Sequence, residues 1–239
     1  MLQEFDLPAR WTSLIQDYFS EAVHNLAQMW PDDQSLDISY RTIEGFDTEF
    51  AHDIVQNPDL HFHAANQALR QFLIDAGSPT MFPFVRINHL PSDQVRTVSQ
   101  LRADDIGQML ALDSVVTKIS GVRPRIYSAQ FECMACNHTM VINQPNEQEL
   151  IEPVECEQIT GGCGRAKRQT RFALNHKESI LINSQFIELQ ELPEQMKGGI
   201  QPERILCIGE HDLAGKLNPG DRVKANGVLF IRSQRKGGK

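Results

Sequence analysis

Cys133, Cys136, Cys156 and Cys163 form two pairs, C-x2-C and C-x6-C, with nineteen residues between the pairs. Four thiolates are the donor set of a closed, tetrahedral structural Zn²⁺ site. A C-x2-C pair puts two sulfurs on one turn, where they hold a metal from one side. Cys156 and Cys163 close it from the other, with Gly161, Gly162 and Gly164 supplying tight backbone. The competing reading is four free structural cysteines, and the six-residue gap is looser than a standard zinc ribbon. A catalytic zinc keeps an open position, usually beside a His or carboxylate. Four cysteines already complete the set, so His138 and His176 read as bystanders. The fifth cysteine, Cys207, sits in Arg204-Ile-Leu-Cys-Ile and reads as a small apolar side chain on a strand.

The chain's setting bears on that chemistry. Met1-Leu-Gln-Glu-Phe-Asp is acidic and has no basic-plus-apolar signal region. No apolar run approaches the ~20 residues of a membrane span. The expectation is a cytoplasmic protein without a membrane partner, in a compartment where thiols stay reduced and metal is favoured over disulfide.

Cationic residues are the second set that could do chemistry. The net charge of −8 conceals an asymmetry. Residues 1–113 carry 17 Asp/Glu against 6 Lys/Arg, a net of −11, and residues 114–239 carry 14 against 17, a net of +3. Arg165, Lys167, Arg168, Arg171 and Lys177 have no acid among residues 165–177. The tail has none either, with Arg222, Lys224, Arg232, Arg235, Lys236 and Lys239. A run of charge is often only a solvated face. Here Val228-Leu-Phe-Ile leads into Arg-Ser-Gln-Arg-Lys-Gly-Gly-Lys, and Gly-Gly is a hairpin signal. A β-finger with a basic tip suits phosphate contacts, and Arg123 and Arg125 extend the same surface. There is no G-x4-G-K-[ST], G-x-S-x-G or H-E-x-x-H motif and no nucleophile–base pair. The chain ends in mid-hairpin, as a truncated fragment would.

These residues need elements to position them. Trp11, Leu14, Ile15, Tyr18, Phe19, Ala22, Val23 and Leu26 recur at helical spacing, which predicts one helix ended by Pro31. Leu36, Ile38 and Tyr40 alternate as a short strand. Asp47 caps a second helix that stops before Pro58, and a third covers about Phe62 to Ile74. Met81 to Ser92 reads as a link. Beyond it come short strands at Val115–Ile119, Ile126–Phe131, Ile180–Ile182, Phe186–Leu189, Ile205–Ile208 and Val223–Ile231. Strands of this kind suggest a small barrel of the OB type. The expected fold is α+β with several subdomains. A helical bundle (1–92) precedes an OB-fold barrel (93–130 and 174–239) that carries a zinc-binding insertion (131–173).

Several pieces together resemble a known family. They are Leu101-Arg with Ile106-Gly, Val115-Val-Thr-Lys-Ile-Ser-Gly-Val-Arg-Pro, Phe131-x-Cys-x-x-Cys, Gln185-Phe-Ile-Glu-Leu-Gln-Glu-Leu-Pro-Glu and Pro219-Gly-Asp-Arg-Val. The chain resembles the N-terminal region of minichromosome maintenance (MCM) replicative DNA helicases of the archaeal type, over essentially its whole length. The resemblance implies a ring, usually a hexamer, around single- or double-stranded DNA, near the nucleoid. It implies an ATP- and Mg²⁺-dependent motor in a following domain, and no catalysis by this stretch. It places Arg232, Arg235, Lys236 and Lys239 on a channel hairpin and Arg123 on the single-strand-binding face of the barrel. It makes Glu191, Pro193, Glu194, Gly198, Gly199 and Pro202 part of a loop that signals between the DNA-binding tier and the motor. One departure is Ser114, where the family has Gly before Val-Val.

Two other classes stay open on the residues alone. A stand-alone single-strand-binding OB protein with a zinc ribbon requires aromatic stacking platforms; the basic half offers Tyr127 and a few Phe, but no Trp. A zinc enzyme requires a displaceable water on the metal.

Overall fold

The structure, a computed structural model, describes residues 6–78, 81–144, 150–195 and 201–231. Along the chain run α1 (Leu7–Tyr18), α2 (Ser20–Met29), β1 (Ser35–Ser39), α3 (Tyr40–Phe46), α4 (Thr48–Gln56), α5 (Pro58–Asp75) and β2 (Phe84–Asn88). After these come β3 (Val95–Arg96), β4 (Met109–Ile119), β5 (Arg123–Cys133), β6 (Thr139–Asn143), β7 (Phe172–Glu191), β8 (Arg204–Glu210) and β9 (Arg222–Val228). They divide into two compact units. Unit 1 comprises residues 1–119, 187–207 and 216–239; unit 2 comprises 120–186 and 208–215. No described helix is long and apolar enough to cross a membrane.

In unit 1 the helices close over Trp11, Leu14, Ile15, Ile43, Phe50, Ile54, Leu69 and Leu73, all fully buried. The Trp11 and Phe50 rings meet edge-on at 5.2 Å. The predicted first helix is two, broken at Phe19, whose backbone leaves the helical region (φ −129°). Hydrogen bonds from Phe19 N to Ile15 O and from Val23 N to Phe19 O still keep the i to i−4 step. The apolar phase therefore runs through the break, and periodicity alone does not show it. Asp47 caps α4 as predicted, accepting from Phe50 N at 3.0 Å. Pro58 at the N-terminus of α5 starts that helix four residues before Phe62. The presumed link holds β2, which pairs in parallel with β1 and aligns Leu36 with Val85 and Ile38 with Ile87. Asn66 Oδ1 on α5 accepts from Val85 N at 2.8 Å and fixes that strand to the helix. The helical core runs on into Met109 and Ala111 at the start of β4.

The rest of unit 1 is sheet. β4 pairs antiparallel with β9 from Met109–Val228 to Val115–Arg222, and with the end of β7 from Ser114–Glu191 to Ile119–Ile187. Parallel β3 flanks it, and β8 pairs with β7. Val116, Ile187 and Leu189 are buried between these strands, against Ile205, Cys207, Leu217 and Val223. Cys207 is the strand residue expected, and burial pushes its thiol up to about 11.

In unit 2, β5 pairs with β6 on one side and with the first part of β7 on the other, from Arg123–Ser184 to Cys133–Phe172. The two short strands expected at Ile180 and Phe186 are one strand of 20 residues. Its first half carries Asn175, His176, Lys177 and Glu178, mostly exposed, so no apolar alternation marks it. The cysteines lie at and beyond the far end of the β5–β7 ladder.

Candidate metal centre and nucleic-acid interface

The four Sγ atoms lie within 4.8 Å of one another. Cys133 and Cys163 approach to 3.8 Å and Cys136 and Cys156 to 3.6 Å. A disulfide needs about 2.05 Å. A tetrahedron with metal–sulfur bonds of about 2.3 Å has edges of about 3.8 Å. The spacing is therefore that of a metal cage, and the donor set suits an ion such as zinc.

Backbone geometry explains both pairs. After Cys133 the chain turns tightly: Cys136 N and Asn137 N both donate to Cys133 O, at 3.3 and 2.8 Å, with Asn137 at φ +60°. The wider second pair sits on a small hairpin. Cys156 N donates to Arg165 O, Lys167 N to Val154 O, and Glu155 bridges to Ala166. Six residues are needed because the loop folds back, with Gly162 N on Glu157 O at 2.7 Å and Cys163 N on Cys156 Sγ at 3.3 Å. A Cβ on Gly162 would lie 2.4 Å from Cys156 Sγ and 2.5 Å from Glu157 O, so the loop requires glycine there. Burial pushes the Cys133 thiol up, but N–H groups of Ala135 and Cys136 and the Thr170 hydroxyl pull it down further, to about 6. At Cys156 burial prevails and the thiol rises to about 12. His138 bonds Thr160 Oγ1 at 2.9 Å, and neither it nor His176 belongs to the cluster.

The expected DNA-contacting residues separate into three groups. Arg123 is exposed at the start of β5. Arg125, two residues along, does not share that exposure. Its side chain is 8% exposed and pairs with Glu210 at 2.6 Å, while Nη1 donates to Gln144 O at 3.0 Å. Arg232, Arg235, Lys236 and Lys239 lie outside the described residues. Just before them Leu229 exchanges backbone hydrogen bonds with Gly107 and Gln108, and Phe230 and Ile231 are exposed. Arg165, Arg168, Arg171 and Lys177 are exposed as well, while Lys167 pairs with Glu152 at 2.7 Å.

The expected signalling loop is anchored at its base. Glu191 is 6% exposed and accepts from Ser99 N at 2.7 Å. Burial raises its carboxyl, but the hydrogen bonds, Ser99 foremost, lower it further and leave it below the usual range. Glu191 N donates to Glu203 O across the loop's mouth, and Glu194 pairs with Arg222 at 2.6 Å. Pro193 opens a 3₁₀ turn and Pro202 is half-buried; Gly198 and Gly199 lie outside the described residues. Sequence reasoning missed Glu210 and Gln144. Glu210 lies 85 residues from Arg125, and no local pattern announces it.

The family described as the MCM OB domain matches residues 97–233, more than half of the chain. The chain belongs to the MCM OB-domain family. The MCM protein of Saccharolobus solfataricus is 28% identical over 204 residues, covering 83% of this chain and 29% of that protein. The DNA replication licensing factor MCM4 of Drosophila melanogaster is 22% identical over 220 residues, covering 91% and 24%. The chain thus spans about a quarter of the length of these relatives. The crystal structure of the N-terminal domain of an archaeal MCM superposes with a TM-score of 0.82 at 29% identity, covering 98% of this chain and 92% of that one. The resemblance to the N-terminal region of an archaeal-type MCM protein is borne out.

Proposed function

We propose that this chain is the DNA-binding, ring-assembling N-terminal module of an ATP-dependent replicative helicase. The observation that carries the proposal is the OB-domain match over residues 97–233, within a chain that superposes almost entirely on an archaeal MCM N-terminal domain. ATP and Mg²⁺ belong to a motor outside this stretch, since the relatives are several times longer. Residues 1–92 form the helical bundle, 93–130 and 174–239 the OB-fold with its basic hairpin, and 131–173 the zinc-binding insertion. Cys133, Cys136, Cys156 and Cys163 hold a structural Zn²⁺, whose chemistry is to cross-link the two knuckles through four thiolates. Arg123, Arg232, Arg235, Lys236 and Lys239 contact the phosphates of single- and double-stranded DNA. The loop from Glu191 through Pro193, Glu194, Gly198 and Gly199 to Pro202 signals to the motor. The assembly is a hexameric ring in the cytoplasm, at the nucleoid.

The test is fluorescence anisotropy of labelled oligo(dT) across a salt series, for the wild type and for Arg232→Ala with Lys236→Ala. Each lost single-strand phosphate contact should flatten the slope of log affinity against log salt by ~0.7. No binding by the wild type at low salt would sink the proposal. Unchanged affinity and slope in the double variant would remove the hairpin from it.

A further inference from the structure

We propose that Arg125 is a positioning residue, locked to Glu210, that fixes the nucleic-acid surface headed by Arg123. The inference rests on the DNA-binding function proposed above. Residues two apart on a strand share a face, so Arg123 and Arg125 project from the same side of β5. Their fates differ. Arg125 donates from Nε and Nη2 to Glu210 Oε1, at 2.8 and 2.6 Å, and from Nη1 to Gln144 O and Ile126 O, at 3.0 and 3.2 Å. A guanidinium has five N–H donors, so these contacts leave no fork for a phosphate.

The partners show what the lock holds. Glu210 precedes the turn His211–Leu213, entered through a left-handed His211 at φ +57°. The His211 ring packs edge-on against Tyr127 of β5 at 5.8 Å. The far end of the turn is tied separately: Gly215 N donates to Gln185 Oε1 at 2.9 Å, and Gln185 Nε2 donates to Ser120 O at 2.7 Å. A Cβ at Gly215 would touch Val122, so the strap 211–215 lies against the residue before Arg123. Val122 and Leu213 are exposed. Gln144, 3% exposed, brackets the other side, since its amide exchanges hydrogen bonds with Ile151 N and O at 2.7 and 3.0 Å. Arg125 thus joins β5, the end of β6 and the strap.

A charge count and a positioning role predict opposite signs for one variant. Deleting an acid beside a phosphate-binding surface should tighten binding. If Glu210 holds Arg125 and the strap, Glu210→Gln should weaken it. The experiment measures oligo(dT) anisotropy at several salt concentrations, with hydrogen exchange of residues 211–215, on zinc-loaded protein. Arg125→Lys and Glu210→Gln are each expected to weaken binding roughly fivefold, the equivalent of about 1 kcal/mol, with the salt slope unchanged. Exchange in the strap should rise, and the pair together should cost little more than either alone. Arg123→Ala should instead flatten the slope by ~0.7. Tighter or unchanged binding in Glu210→Gln, wild-type binding in Arg125→Lys, a flattened slope in Arg125→Lys, or unchanged strap exchange would each overturn the proposal. Failure of the wild type to bind would instead overturn the DNA-binding function, and strap exchange would still report whether the lock exists.

Discussion

The helical half of unit 1 and the metal lobe of unit 2 are held together by different physics. Among the described residues, the first encloses a core of twenty-four buried residues, nearly all apolar, from Leu7 to Ala111. The second encloses Cys133, Met140 and Cys156, with Phe172 packed against them. Met134, Val154 and Ile159 of the lobe are largely exposed, so its described apolar residues add little to that small cluster. Segments of about 40 residues rarely bury enough surface to hold their fold without a metal or disulfide. A metal held by the lobe's four sulfurs, which stand 3.6–3.8 Å apart along two edges, would supply what burial does not.

Metal removal is the largest way to break the comparison. Binding of a structural zinc contributes on the order of 10 kcal/mol to small metal-folded units. Chelation should release hydrogen-exchange protection in residues 131–173. Trp11 and Trp30, the two tryptophans, are both in unit 1, so tryptophan fluorescence should not change. Fluorescence that collapsed with the metal would make the two regions one cooperative block.

Trp11→Ala is the reciprocal test. Trp11 is fully buried against Phe50 and His61, and truncation of such a residue costs about 3–5 kcal/mol. The unfolding free energy obtained from a urea titration read by Trp30 should fall by that much. The thiolate-to-metal charge-transfer band of cobalt-substituted protein should keep its wild-type intensity. Loss of the band would show that the cage depends on the helical core.

How far each region was legible follows from the same contrast. The quartet could be read because metal chemistry needs particular residue types at short spacing. The amphipathic helices could be read because burial writes a period into the chain. Helix α3 was missed because in seven residues it buries only Tyr40 and Ile43, too few to show a period. Strand β2 was missed because its signal is Val85 and Ile87 alone. The first half of β7 is only partly buried, and residues 175–179 within it carry no apolar side chain to alternate. The sequence groups Arg125 with Arg123 because composition cannot distinguish a cation facing solvent from one locked to Glu210.

The smallest effect, and the most selective, concerns His61 in unit 1. Its ring is fully buried, with Nε2 3.0 Å from Asp53 Oδ2 and Nδ1 without a hydrogen-bond partner among the described residues. The Phe50 and Trp11 rings stand at 5.0 and 6.2 Å. Burial holds the imidazole below its usual pKa, and Asp53 only partly offsets this. The unfolded chain takes up this proton near pH 6.5, the folded one only at lower pH. His61's contribution is therefore fully present above about 6.5 and declines as pH falls from there toward the folded value. The tryptophan-reported urea midpoint should be lower at about pH 5.5 than at about pH 7.5, and His61→Leu should flatten that difference. Acid should also weaken a metal-loaded lobe, because protons compete for its thiolates, but that loss would appear in the cobalt band. A His61→Leu protein that kept the wild-type pH response would transfer the acid sensitivity of unit 1 to another group. A cobalt band that followed the tryptophan signal in both proteins would erase the distinction between the two regions.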